Sequence, residues 1–279
     1  MTIKKYEELT FADDFMFCKV LETNEDLCKD LVELVLDTKI EIVKHLNRQQ
    51  PIEIIPDGRG VRLDICLVGD NKVFNLEMQN AAREDLPRRS RYYQAMIDLD
   101  MSERGMKYPE LLDTFIIFFC RFDPFGGNLR RYSTKEIIAE DDWVEYNDGT
   151  HKIFLSTLPN MNGKISKELR ELLDYINGEA PEGDLPIRLN AAVEKAKQMK
   201  EWRKDYMFLY EIKEDAREEG LAEGRAEGRA EGRAEGRAEG RALAVDSIMK
   251  STGKDIAEAC ALVGITEEDY LKAKDSLQG

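Results

Sequence analysis

Histidine is nearly missing: His45 and His151 are the only two in 279 residues, which removes mechanisms that need several imidazoles, whether to hold zinc or to relay protons. The five cysteines, at positions 18, 28, 66, 120 and 260, are odd in number and never spaced as Cys-x-x-Cys. Such usage disfavours both a disulfide framework and a zinc site, and it points to a reducing, cytoplasmic compartment. Long apolar runs are missing too. The longest, Phe115 to Cys120, falls far short of the roughly 20 residues of a membrane helix, and the opening MTIKKYEELTFADDF has no apolar stretch of the signal-peptide kind. The expectation is a protein without a membrane partner. Positive charge is also scarce, because 56 acidic against 41 basic residues leave a net charge of −15. A chain so charged does not coat nucleic acid, since phosphate neutralisation needs clustered Lys and Arg. Any contact with DNA must be local.

What the chain does have is a pair of acids in a patterned hairpin. In RLDICLVGDNKVFNLEMQ, residues 62 to 79, Leu63, Ile65 and Leu67 alternate with Arg62, Asp64 and Cys66; on the return, Phe74, Leu76 and Met78 alternate with Val73, Asn75, Glu77 and Gln79. Asp70-Asn71 suits a two-residue type I′ turn. Pairing Gly69 with Lys72 then sets Val68 opposite Val73, Cys66 opposite Asn75 and Asp64 opposite Glu77. Carboxylates placed so have Cβ atoms about 5 Å apart and repel. A divalent cation offsets that repulsion, and Mg²⁺ is typically held by one or two carboxylates with phosphate oxygens and water. Carboxylate-bound Mg²⁺ or Mn²⁺ is also the metal chemistry that so few histidines leave open. By spacing alone, an ordinary surface hairpin with two acids on its wet side fits equally well.

The remaining pattern is α/β. Residues 11 to 36 have helical spacing with a break near Thr23-Asn24. There Asp13 or Asp14 reads as a carboxylate at the positive end of a helix. Residues 52 to 55 are extended and end in the turn Pro56-Asp57-Gly58. Pro87 suits the first turn of a helix reaching about Met101, on which Arg89 and Tyr93, four apart, share a face crowded by Arg88, Arg91 and Tyr92. This is the one basic, aromatic cluster in the chain, and a solvated surface helix produces the same pattern. TFIIFFC, 114 to 120, reads as a strand buried on both faces. Leu129 to Ile138 and His151 to Leu158 read as further strands, with helices over 165 to 177 and 188 to 218 around a Gly/Pro-rich span at 178 to 186.

From Glu219 the chain repeats Ala-Glu-Gly-Arg, with glycines at 220, 224, 228, 232, 236 and 240. A period of four turns each residue type about 40° per repeat around a helix. Its i,i+4 neighbours are like-charged, and each interior glycine costs about 1 kcal/mol relative to alanine. Alone, it should be a poor helix. Two copies side by side could set Glu rows against Arg rows, which points to a homo-oligomer; a flexible, charge-balanced linker is the other reading. Leu243 to Lys250, Lys254 to Val263 and Glu267 to Leu277 read as short helices, with Thr266 and Asp269 as a capping box. Seven acids against four lysines over 244 to 279 speak against a DNA-binding helix-turn-helix.

Taken together, DDFMFCKVL, RLDI, NLEMQ and RRSRYYQAMIDLD with the following GMKYPEL resemble the PD-(D/E)XK nuclease core in the version where glutamine replaces the lysine. More narrowly they resemble the bacterial Rpn family of recombination-promoting nucleases and putative transposases. The resemblance covers the first half of the chain and, in style, the tail. It implies an α/β fold with a restriction-endonuclease-like core, a mixed central sheet flanked by helices, over residues 1 to 160. A helical region at 161 to 218, the repeat at 219 to 242 and a small helical module at 243 to 279 would follow. It implies a Mg²⁺- or Mn²⁺-dependent DNA endonuclease in which Asp64 and Glu77 bind the metal, with the Met78 carbonyl as a third ligand. Gln79 stands at the lysine position, and Asp14 reaches the metal or a water on it. Arg89 and Tyr93 position the DNA, Arg89 by binding the scissile phosphate or orienting a carboxylate. The alternative is a weak or inactive nuclease-fold protein serving self-assembly or DNA binding.

Overall fold

Continuous apolar runs become strands covered on both faces, and here that run is the middle of the sheet. The computed structural model describes residues 4–41, 44–45, 63–82, 84–102, 106–141 and 143–276. Its strands are β1 (Lys44–His45), β2 (Ile65–Gly69), β3 (Lys72–Gln79), β4 (Asp113–Cys120), β5 (Arg131–Ser133) and β6 (Thr150–Ser156). They form one six-stranded sheet in the order β1-β2-β3-β4-β6-β5. The β3–β4 and β4–β6 pairs are parallel and the other three antiparallel, so the sheet is mixed. The extended segment expected at 52 to 55 and the turn at Pro56-Asp57-Gly58 lie outside the described residues.

The hairpin has the register that its pattern demands. Gly69 pairs with Lys72, Val68 with Val73 and Cys66 with Asn75. Asp70 and Asn71 take φ of 48° and 58°, the left-handed conformation that a type I′ turn requires at both central residues. The ladder stops at Ile65 and Leu76, so Asp64 lies just beyond the last pair. Leu63 departs from expectation: it packs with Cys66 and not with Ile65 and Leu67. The two-residue alternation holds only where the pleat is continuous, and β2 begins at Ile65.

Each face of the sheet meets its own helices. Ile65, Leu67, Phe74, Leu76, Met78, Ile117, Phe119 and Leu155 pack against α1 (Asp14–Thr23), α2 (Glu25–Leu36), α4 (Lys167–Asn177) and α5 (Asp184–Lys197). The break between α1 and α2 falls at Asn24, as the apolar spacing predicts. On the opposite face Cys66, Val73, Ile116, Phe118, Cys120 and Phe154 meet Leu86, Tyr93, Met96 and Ile97 of α3 (Leu86–Met101), which has Pro87 in its first turn. Helix α5 starts earlier than expected because Pro186 is accommodated in its first turn, where its missing N–H costs nothing. The compact unit built on this sheet runs from Met1 to Tyr206, and α4 and α5 belong to its core.

The second unit, Met207–Gly279, contains most of α6 (Lys200–Thr252), with α7 (Ile256–Val263) and α8 (Glu267–Ser276). Ala242, Val245, Ala259, Cys260, Tyr270 and Ala273 form its small core. Thr266 Oγ1 accepts from the Asp269 N–H at 3.1 Å and donates to its carboxylate at 2.7 Å. The glycine repeat is helical throughout, against its intrinsic penalty. Three of every four residues are Ala, Glu or Arg, among the strongest helix formers, and both ends continue into helix.

Phe119 is fully buried, its ring 6.1 Å from that of Phe17, so Phe119→Ala should cost about 3–5 kcal/mol. Urea unfolding should show this as a lower midpoint, whereas Leu99→Ala, at 58 % exposure, should stay within about 0.5 kcal/mol of the parent.

Candidate active site

Strict alternation along β3 directs Asn75, Glu77 and Gln79 to the face that α3 covers, among apolar neighbours. All three are buried, with Glu77 only 2 % exposed. A carboxylate in such a place needs partners. Its Oε1 accepts from Asn75 Nδ2 at 3.1 Å and from the backbone N–H of Asp64 at 3.2 Å. In return the Met78 N–H donates to Asp64 Oδ2 at 2.9 Å. Where the backbone ladder ends, two side-chain bonds in opposite directions therefore hold the two acids together.

Gln79 extends the constellation onto the helix. Its Nε2 donates to the Met78 carbonyl at 3.0 Å, and its Oε1 accepts from Arg89 Nη1 at 2.8 Å. Arg89 Nη2 donates to the Tyr93 hydroxyl at 2.6 Å, a pairing that the i,i+4 spacing makes geometrically natural. Asp64, Glu77, Gln79, Arg89 and Tyr93 are thus brought into one linked group, while Arg88, Arg91 and Tyr92 remain exposed.

Burial pushes the Glu77 carboxyl well above the usual carboxylate range, and the charge of Asp64 pushes it further; the two hydrogen bonds and Arg89 oppose this without cancelling it. Tyr93 is raised by burial and then by Glu77. For Arg89 burial works against the charge, but the Tyr93 bond and nearby acids outweigh it, and its pKa rises. The guanidinium stays positive.

The donor set consists only of oxygens: two carboxylates and the Met78 carbonyl, whose second lone pair Gln79 leaves unused. Oxygen ligands suit Mg²⁺ or Mn²⁺, and two adjoining acids, one of them disfavoured as an anion, are what a divalent cation relieves. The residues fit such an ion. Among the described residues, no three His, Cys, Asp or Glu side chains gather into a metal-sized cluster, so Asp14 does not join the pair as a third carboxylate. Asp14 instead accepts from Asn80 Nδ2 at 2.9 Å, and the same amide reaches the Ala12 carbonyl at 2.8 Å. Asn80 thereby straps the start of α1 to the end of β3.

Two participants were not foreseen. Asn75 had a signal, since alternation places it on the Glu77 face; its Oδ1 is buried and has no partner among the described residues. Asn80 had none, because its contacts, Asp14 at the start of α1 and Ala12 just before it, are 66 and 68 positions away.

A mixed sheet that delivers two tethered carboxylates from one hairpin, with a helix-borne cation beside them, defines a PD-(D/E)XK nuclease core. The chain belongs to the PD-(D/E)XK nuclease family transposases, whose sequence model matches residues 12–178, in agreement with the Rpn-type resemblance. No curated protein and no solved structure matches it significantly.

Because native Glu77 holds its proton more tightly than the unfolded chain does, it contributes stability below its unfolded pKa of about 4.3, and that contribution is lost as pH rises towards the raised native value. In metal-free buffer at pH 8, Glu77→Gln should therefore raise the melting temperature by a few degrees, and thermal scans should show the gain shrinking towards pH 4.

Proposed function

We propose that the protein is a Mg²⁺- or Mn²⁺-dependent endonuclease that hydrolyses DNA phosphodiester bonds. The observation that carries this reading is the reciprocal tie between Asp64 and buried Glu77 beside a charged Arg89 docked on Gln79. A bound divalent ion supplies charge neutralisation at the phosphate and an acidified water. Asp64 and Glu77 would hold it, Glu77 as the carboxylate. Gln79 brings no charge of its own, but its oxygen anchors Arg89, and the guanidinium N–H groups not spent on Gln79 and Tyr93 are available to a non-bridging phosphate oxygen. Tyr93, its phenol kept protonated, accepts from Arg89 and retains its own O–H for the same phosphate.

With supercoiled plasmid and Mg²⁺ or Mn²⁺, the parent should nick and linearise the DNA, Asp64→Ala and Glu77→Ala should lose at least about 100-fold in rate, and Arg89→Ala about 10–100-fold. Equal cleavage by parent and both acid variants would betray a contaminant. Intact plasmid under all conditions would favour the non-catalytic reading.

The repeat supports a second partner, another copy of this chain. Ala222, Glu223, Gly224 and Arg225 follow at about 100° steps, so each glycine row has a glutamate row on one side and an arginine row on the other. Two helices meeting through their glycine rows in parallel bring Glu against Arg on both flanks; antiparallel pairing brings like against like. The repeat is exposed from 222 to 238, and a Cβ at each of its glycines would meet nothing within 4 Å, which leaves that face open for close backbone approach. The pairing proposed is parallel. Deleting 222–241 should reduce the mass measured by light scattering to that of one chain, and an unchanged oligomer would remove the pairing.

A further inference from the structure

Both hydrogen bonds that reach the Glu77 carboxylate end on the same oxygen. Oε1 accepts from Asn75 Nδ2 at 3.1 Å and from the Asp64 N–H at 3.2 Å, and a carboxylate oxygen has two lone pairs to give. Oε1 is therefore filled from within the protein. Among the described residues no donor is directed at Oε2, so that oxygen is what the side chain has left to offer.

The position of Asn75 fixes this arrangement. It lies in the middle of β3, paired with Cys66 of β2 and with Ile116 of β4, so its backbone is held from both sides. Its side chain is fully buried on the face that α3 covers, where Cys66 and Ile116 are apolar neighbours. Residues two apart on a strand share a face about 7 Å apart, a span that the Asn75 amide and the Glu77 carboxyl bridge. An ionised carboxylate only accepts, so the amide nitrogen has to face it. The other donor to Oε1 is a backbone group, which makes Asn75 the side chain that decides whether both lone pairs of Oε1 are occupied.

Divalent ions differ in what they ask of a carboxylate. Mg²⁺ is small, demands near-octahedral geometry and keeps several waters, which one oxygen from each acid suits. Ca²⁺ is larger, takes about six to eight oxygens and readily binds a carboxylate through both of its own. We infer that Asn75 is a specificity-determining residue: by occupying Oε1 it makes Glu77 a one-oxygen ligand, and so favours Mg²⁺ or Mn²⁺ over Ca²⁺ at the acid pair. The inference rests on the reading above that Asp64 and Glu77 hold the ion, and it gives a role to a residue that touches neither the ion nor DNA. Without the Asn75 amide one lone pair of Oε1 is released, and the carboxylate is able to bind through both oxygens. That option benefits Ca²⁺ more than the smaller ions.

The test measures binding rather than cleavage, on the full chain without DNA. Mn²⁺ binding is followed by electron paramagnetic resonance, and Ca²⁺ binding by displacement of that Mn²⁺. Glu77→Ala identifies the site, because the Mn²⁺ lost in that variant is the Mn²⁺ of the acid pair. In Asn75→Ala, and in Asn75→Leu, which keeps the side-chain volume, the ratio of the Ca²⁺ to the Mn²⁺ dissociation constant should fall about tenfold, as expected for one hydrogen bond to a charged group. Val73→Ala removes buried bulk from the same face of β3 and should lower the melting temperature while leaving the ratio at the parent value; a purely structural effect at Asn75 would weaken both ions together in the same way. The parent ratio retained in both Asn75 variants overturns the inference and leaves the metal site standing. Mn²⁺ binding that is the same in the parent and in Glu77→Ala overturns both.

Discussion

Placing two carboxylates side by side at the mouth of a hairpin, one of them almost sealed from solvent, is the constraint around which this structure is arranged. Burial and mutual repulsion both penalise the anionic form of Glu77. The surroundings answer with directed donors: an amide from Asn75, the backbone N–H of Asp64, and the positive field of Arg89. Together they do not cancel the penalty on the Glu77 anion, and a divalent cation beside that carboxylate would offset it.

The amide of Gln79 has one end on the Met78 carbonyl and the other on Arg89, so the positive charge beside the acids is carried by the facing helix and docked there. Tyr93 completes the arrangement from the next turn of α3. A guanidinium fixed at two nitrogens loses less freedom on meeting a phosphate than a lysine stem does.

Much of the site was legible locally. Alternation, a turn of the correct type and the three pairs from Gly69 to Cys66 place Asp64 next to Glu77, and i,i+4 spacing couples Arg89 to Tyr93. Legibility ended where contacts leave the local segment. Leu63 lies outside the pleat and packs across the sheet, and Asp14 is held through Asn80 rather than beside the acid pair. The repeat shows the reverse case, in which glycine propensities argue locally for a poor helix and helical flanks with three strong formers in four override them.

The amino-acid order alone determined the hairpin, its register, the break between α1 and α2, the buried β4 and the faces of α3, because periodicity and turn stereochemistry act over a few neighbouring residues. Only the folded chain decided that Glu77 would be sealed, that Gln79 would bridge to Arg89, and that Asp14 would stand apart. These depend on which strands adjoin and which helix covers which face, and that is settled by burial summed over the whole core rather than by any short stretch of residues.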